Sequence, residues 1–166
     1  MSNRAKKLPV DIYTDGACRG NPGPGGYGIV LEASGYKSKE LSKGFRLTTN
    51  NRMELLAIID ALKSLKRDDL DITIYSDSKY VVEAVNNGWV FGWQKKGFKD
   101  KKNPDLWREY LILHKKLKPT LVWIKGHNDH PQNERCDKLA VKAAKGDNLF
   151  IDEAFELNKE QKGLFE

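Results

Sequence analysis

The sequence predicts an α/β domain: a five-stranded mixed sheet, three antiparallel strands followed by alternating helix and strand, with helices on both faces. Three observations carry this. Apolar and polar residues alternate over residues 10–14, and Tyr27, Ile29 and Leu31 share one face of a second segment, the period-two mark of strands. Leu55, Ile58, Ile59, Leu62 and Leu65 recur at helical spacing, after which β-patterned and helical runs alternate to about residue 145. The chain has 166 residues, enough for one domain with a real core.

Each element can be justified in order. Residues 10–14 form a strand ending at Asp15. Residues 20–28 hold five glycines and two prolines and are expected to make a tight loop. A strand carrying Tyr27, Ile29 and Leu31 follows, then a weaker one over residues 36–47; such close neighbours pair as an antiparallel meander. Thr48, Thr49, Asn50 and Asn51 supply cap chemistry for the first helix. Residues 71–75 form a fourth strand, and Ser76-Asp77-Ser78 opens a helix reaching about Val85. Trp89 and Trp93 sit one helical turn apart, and a lysine-rich loop covers residues 95–102. Asn103-Pro104 opens a long helix with Leu106, Tyr110, Leu113 and Leu117 on one face. Residues 120–125 give the fifth strand. The polar loop GHNDHPQN leads into a last helix over about 133–145, closed by Gly146.

A hydrophobic share of 39% beside 31% charged residues is that of a globular chain, not a disordered one. No apolar run approaches membrane-spanning length, and MSNRAKKLPV has no apolar signal core, so a cytoplasmic protein without a membrane partner is expected. Cys18 and Cys136 are then expected to stay thiols, and their spacing fits no zinc motif. From Asp147 onward, six acids face two lysines, a net of −4, which leaves +10 for the remaining body. That body invites a polyanionic partner such as nucleic acid, although charge alone would serve solubility equally well. The division expected is residues 1–146 as the functional domain and 147–166 as an acidic tail with no obvious core role.

Asp15 and Asp77 end strands, and Glu54 and Asp137 lie on helices. Strand ends and helix starts can bring such residues to one point of an α/β sheet. The cluster would repel itself unless cations filled it, and oxygen-only ligands suit Mg²⁺ or Mn²⁺. Taken singly, each acid has a duller explanation. Glu54 could complete a capping box opened by Asn51, Asp77 could cap its helix, and Asp137 could lie on a solvated face beside Arg135 and Lys138. Gly23-x-Gly25-x-x-Gly28 is a literal dinucleotide fingerprint, but that motif must open a helix and this one precedes a β-patterned run.

DIYTDGACRGNPGPGGYG, TTNNRMEL, YSDSKYV and WIKGHNDHPQNERCDKLA resemble the four signature blocks of bacterial-type ribonuclease H, type 1. They stand in the family's order and cover residues 8–145. The resemblance implies the ribonuclease H-like fold and an endonuclease that hydrolyses the RNA strand of RNA–DNA hybrids with two metal ions. It implies 5′-phosphate and 3′-hydroxyl products, and a monomer. Asp15, Glu54, Asp77 and Asp137 match the family's catalytic, metal-binding acids, and His127 its mobile histidine, a proton shuttle or product-release group. His130, beside Pro131, resembles a loop-shaping residue. Cys18, Asn21, Asn50 and Asn51 match positions that touch the hybrid's minor groove, Thr49 part of a DNA-phosphate pocket, and Trp89 the aromatic of the DNA-strand channel. For Trp93, core packing is preferred. The stretch KKGFKDKK, with Lys95, Lys96 and Lys99, resembles the family's basic protrusion.

The sequence departs from the family pattern in a shorter protrusion, in Lys79 at a position commonly glutamine, and in Asn128-Asp129 beside His127. Rival classes are a transposase or resolvase core, a catalytically silent hybrid-binding module, and an actin-like ATPase, the last needing two repeated halves that are not present. At the chain's end, Gln161, Leu164 and Phe165 resemble the short Q-x-x-L-F pattern by which bacterial replication and repair proteins hold the sliding clamp. The alternatives are that Leu164 and Phe165 fold back onto the domain, or that the acidic tail shades the basic groove.

Overall fold

A computed structural model describes residues 6–126 and 130–165. Three strands, β1 (Leu8–Cys18), β2 (Gly23–Glu32) and β3 (Lys39–Thr48), precede helix α1 (Asn50–Lys63). Then come β4 (Leu70–Ser76), α2 (Lys79–Asn86), α3 (Trp89–Lys95), α4 (Pro104–Leu117), β5 (Thr120–Trp123), α5 (Pro131–Ala144) and α6 (Glu153–Phe165). The sheet order is β3-β2-β1-β4-β5. The first three strands pair antiparallel, and β4 pairs parallel with both β1 and β5. The mixed five-stranded sheet expected from the sequence is the one observed.

Period two divides the core. Ile12 and Ile29 face the larger side, where Leu55, Ile58 and Leu62 of α1, Val81 of α2 and Trp107 of α4 close over them. Tyr13 and Val30 face the other side and meet Cys136 and Leu139 of α5. Tyr13 and Tyr75 stand side by side on parallel strands and stack at 4.9 Å, with His130 tilted against Tyr13. Trp93 packs edge-on to the fully buried Trp107, in the core role expected of it.

Two expectations are corrected. The first strand does not end at Asp15 but runs on to Cys18. The glycine-rich stretch is not wholly a loop, because β2 begins at Gly23 and runs through Gly25, Gly26 and Gly28. These glycines serve close packing. A Cβ at Gly26 would stand 2.7 Å from the Ala140 carbonyl oxygen, and one at Gly28 only 2.2 Å from that of Cys136. Turn chemistry and helix-contact chemistry use the same residue, and composition does not separate them.

Among the described residues, the segment after Gly146 adds nothing to the two apolar core clusters, but it is anchored to the body by backbone and polar contacts. Phe150 makes an isolated parallel bridge to Phe45 on the outer strand, donating to the Gly44 carbonyl while its own carbonyl accepts from Arg46. Asp152 is buried and accepts from Thr48 Oγ1 at 2.8 Å and from Arg52 Nε at 2.7 Å. Arg52 is itself buried and also donates to both carboxylate oxygens of Asp105. Glu156 of α6 binds the exposed Arg46 through three hydrogen bonds.

Removing Asp152 would leave a buried guanidinium with Asp105 as its only carboxylate. Asp152→Ala is expected to cost about 2–4 kcal/mol of unfolding free energy. Urea denaturation measures this, and a loss under about 0.5 kcal/mol, the range of ordinary surface changes, would show the latch to be idle.

Candidate active site

β1 and β4 are parallel neighbours, with Thr14 opposite Ser76. The next residue on each is an acid: Asp77 follows the end of β4, and Asp15 stays in β1 just past the end of its parallel ladder with β4, so the two stand side by side. Glu54 arrives from above on α1. The helix comes that close because residue 16 is glycine, where a Cβ would stand 2.8 Å from the Glu54 amide nitrogen and 2.9 Å from Met53 Cβ. Asp137 approaches from the opposite face on α5. Here the permissive residue is Gly28, which pairs with Asp15 across the β1–β2 ladder and lies against Cys136.

One carboxylate oxygen each from Asp15, Glu54 and Asp77 lies within 4.8 Å of the others. Asp15 and Glu54 are buried, at 5% and 4% exposure, and Asp77 and Asp137 are half-buried. Asp137 is not in that trio, but its charge bears on Asp15. Burial, then the charges of Asp77 and Asp137, push the Asp15 carboxyl up to about 8, against the opposing help of the Gly16 N–H, which donates to its Oδ1 at 2.9 Å. Burial, then Asp15 and Asp77, drive Glu54 well above the ordinary carboxylate range. Glu54 Oε2 has no hydrogen-bond partner despite being buried. A buried acceptor without a donor, beside two further carboxylates, fits a hard divalent cation bound through oxygen.

The duller explanations of these acids do not hold. Thr49 caps α1, accepting from the Arg52 amide at 3.2 Å, so no capping box uses Glu54. Ser78 caps α2, accepting from the Val81 amide. Arg135 turns away from Asp137 to a bidentate pair with Glu40. Two neighbours of Asp77 escaped the sequence reading. Trp123, half-exposed, donates its indole N–H to the Asp77 backbone carbonyl at 3.2 Å, and a Cβ at Gly126 would stand 2.7 Å from Asp77 Oδ2. Both stand in the fourth signature block, but neither carries a spacing signal of its own. His127 lies outside the described residues, as do Asn128 and Asp129.

The other expected contacts gather near the start of α1. Asn21 Oδ1 accepts from the Asn50 amide at 3.1 Å. Cys18 donates its thiol to the carbonyls of Gly23 and Thr48, both at 3.5 Å, and both cysteines are free thiols, as expected. Thr49 and Asn50 are half-buried and Asn51 is exposed. Trp89, the first residue of α3, is 50% exposed, which leaves its ring free for contact. Lys95, Lys96 and Lys99 are exposed around the buried Phe98, which fixes their turn to the core.

Fold and site together define an α/β protein whose parallel strand ends present an oxygen-rich pocket of the kind that holds divalent cations. The family model for RNase H matches residues 7–145. Ribonuclease H of Desulforamulus reducens is 53% identical over 148 residues, covering 86% of this chain and 92% of that protein. Ribonuclease H of Rippkaea orientalis is 49% identical over 161 residues, 94% and 96% of the two chains. Among solved structures, LC9-RNase H1, a type 1 RNase H with the type 2 active-site motif, superposes with a TM-score of 0.76 at 31% identity, over 86% of this chain and 74% of that one. LC11-RNase H1, solved in complex with RNA/DNA hybrid, gives 0.63 at 27% identity over 88% and 99%. The chain belongs to the RNase H family, type 1.

The raised carboxyls set a pH dependence. Asp15 binds a proton in the folded protein up to about pH 8, whereas its ordinary value is 3.8. A raised folded-state pKa gives stability that is complete below the unfolded value and is lost as pH rises through the folded one. Metal-free protein in chelator is therefore expected to melt at lower temperature at pH 8 than at pH 6. Mg²⁺ should restore most of the difference, and Asp15→Asn should flatten it. A melting temperature independent of both pH and Mg²⁺ would contradict the electrostatics of the cluster.

Proposed function

We propose that the protein is a metal-dependent endoribonuclease that hydrolyses the RNA strand of RNA–DNA hybrids, leaving 5′-phosphate and 3′-hydroxyl ends. The observation that carries this is the Asp15–Glu54–Asp77 cluster on an RNase H fold, with the charge of Asp137 bearing on Asp15. The hybrid bound to the related LC11-RNase H1 supports the choice of substrate.

Asp15, Glu54, Asp77 and Asp137 would hold Mg²⁺, or Mn²⁺, as two ions when substrate is present. Bound there, the ions supply water activation and charge stabilisation of the leaving oxygen. The protein's own part is to hold the carboxylates in place before substrate arrives. Cys18, Asn21, Asn50 and Asn51 face the minor groove of the hybrid in this reading. Thr49 takes a DNA phosphate, Trp89 lies along the DNA strand, and Lys95, Lys96 and Lys99 hold the backbone. His127 moves a proton or helps product leave. Residues 1–146 form the catalytic unit of a cytosolic monomer, with 147–166 clipped onto it. Contact with a sliding clamp through Gln161, Leu164 and Phe165 rests on the sequence pattern alone. Because α6 runs through Phe165, its last turn would have to unwind to offer an extended peptide.

A labelled RNA–DNA hybrid, compared with duplex DNA and with chelator added, tests the activity. Cleavage of only the RNA strand, with Mg²⁺ required, is expected. Asp15→Asn and Glu54→Gln should each remove nearly all turnover while remaining folded. Near-normal rates in either would remove the carboxylates from the mechanism.

His127→Ala is expected to slow turnover by ~10²–10⁴-fold without abolishing it, since bulk water can partly replace a proton carrier. An unchanged kcat across neutral pH would exclude that role.

A further inference from the structure

Helix α6 is acidic in sequence, yet its charges are sorted by side. Ala154, Asn158 and Lys162, spaced by four, form with Phe155 one wall of an open groove of about 700 Å³. None of these is an acid. Glu153, Glu156 and Glu160 are absent from the groove, and Glu156 is bound to Arg46. The opposite wall carries Lys101, Lys102 and Arg108.

The charge in the groove is one-sided. Among the described lining residues the one acid is Asp105, which shares Arg52 with Asp152, so that this triad sets one net negative charge against four cations. Lys101, Lys102, Arg108 and Lys162 have no acidic partner among the described residues. Two of them are held by aromatic rings instead, Lys101 Nζ 5.0 Å from the Trp93 centroid and Arg108 Cζ 5.2 Å from that of Phe98. Four unneutralised cations around one concavity focus a positive field. The groove also runs past Asn21, Thr49 and Asn51, at the start of the helix that delivers Glu54.

We infer that α6 is the outer wall of a channel for the sugar-phosphate backbone of the bound hybrid, with Lys162 and Asn158 as contacts. This rests on the hybrid-cleaving function proposed above. A backbone suits the space better than a single anion, because the groove is long enough to be lined by two separate segments, residues 101–108 and α6, that both supply cations. Among the described residues of α6, Glu153, Glu156 and Glu160 do not line the groove. Asp152 and Glu156 fix the wall to β3 and α1, so the contacts are in place before substrate binds.

The test is equilibrium binding of a fluorescent RNA–DNA hybrid in metal-free buffer, by anisotropy, across a salt series. Lys162→Ala should weaken binding roughly fivefold at low salt and lower the slope of log K against log salt by about one. Asn158→Asp, which sets an acid on the wall, should weaken binding likewise. Lys159→Ala removes the same charge from α6 away from the groove and should change neither quantity. In the cleavage assay, KM should rise with Lys162→Ala more than kcat falls. Wild-type affinity and slope in both groove variants, or an equal loss in Lys159→Ala, would overturn the channel while leaving the nuclease intact. A wild-type protein that neither binds nor cuts the hybrid would overturn the function, and the channel with it.

Discussion

The structure depends on two close approaches to one residue of the central strand. Gly16 lets α1 settle on one face of the sheet beside Asp15, and Gly28, opposite Asp15 in the ladder, lets α5 settle on the other. A methyl group at either position would meet backbone at under 3 Å. Pushing α1 away would move Glu54, and pushing α5 away would move Asp137. The carboxylates converge because helix–sheet packing is as tight as a missing side chain allows at these two points.

That packing sets the site's chemistry. Carboxylates exposed to water would titrate close to their ordinary values and would need no cation. Here Asp15 and Glu54 sit at the bottom of two packed layers, and burial heads the causes of both shifts, ahead of mutual repulsion. Desolvation alone would favour two neutral acids, but the neighbouring charges make the site respond to a divalent cation as well as to protons. The strain is carried by a core drawn on both faces, with Ile12, Ile29 and the α1 leucines on one side and Tyr13, Val30 and Cys136 on the other.

Much of this was legible in the sequence, for identifiable reasons. Strands and helices declared themselves where apolar period met a single exposed face, as in α1 and β4. The site acids were legible only jointly. Each alone had a local explanation, and four long blocks in order outweighed those. What was not legible depended on partners distant in sequence. The glycines of β2 look like turn residues until α5, more than a hundred residues later, is laid against them. Arg52 and Asp152 are a hundred residues apart and individually look like surface charges. Composition correctly marked residues 147–166 as acidic, but net charge does not say which acids are consumed in ion pairs.

The C-terminal segment shows why that distinction matters. Phe150 covers the free edge of β3 with backbone hydrogen bonds, which protects an edge strand against pairing with another chain. Asp152 then grips Arg52, two residues before Glu54 on the same helix, so the tail braces the element that delivers a site carboxylate. Glu156 is spent on Arg46. An acidic extension anchored in this way leaves the four groove cations without an acidic partner among the described residues. Glu156 is neutralised where it anchors, Asp152 shares Arg52 with Asp105, and helical periodicity keeps Glu153 and Glu160 off the face that carries Asn158 and Lys162. A disordered tail of the same composition would have had no such constraint, and its charge would have been averaged over the basic surface.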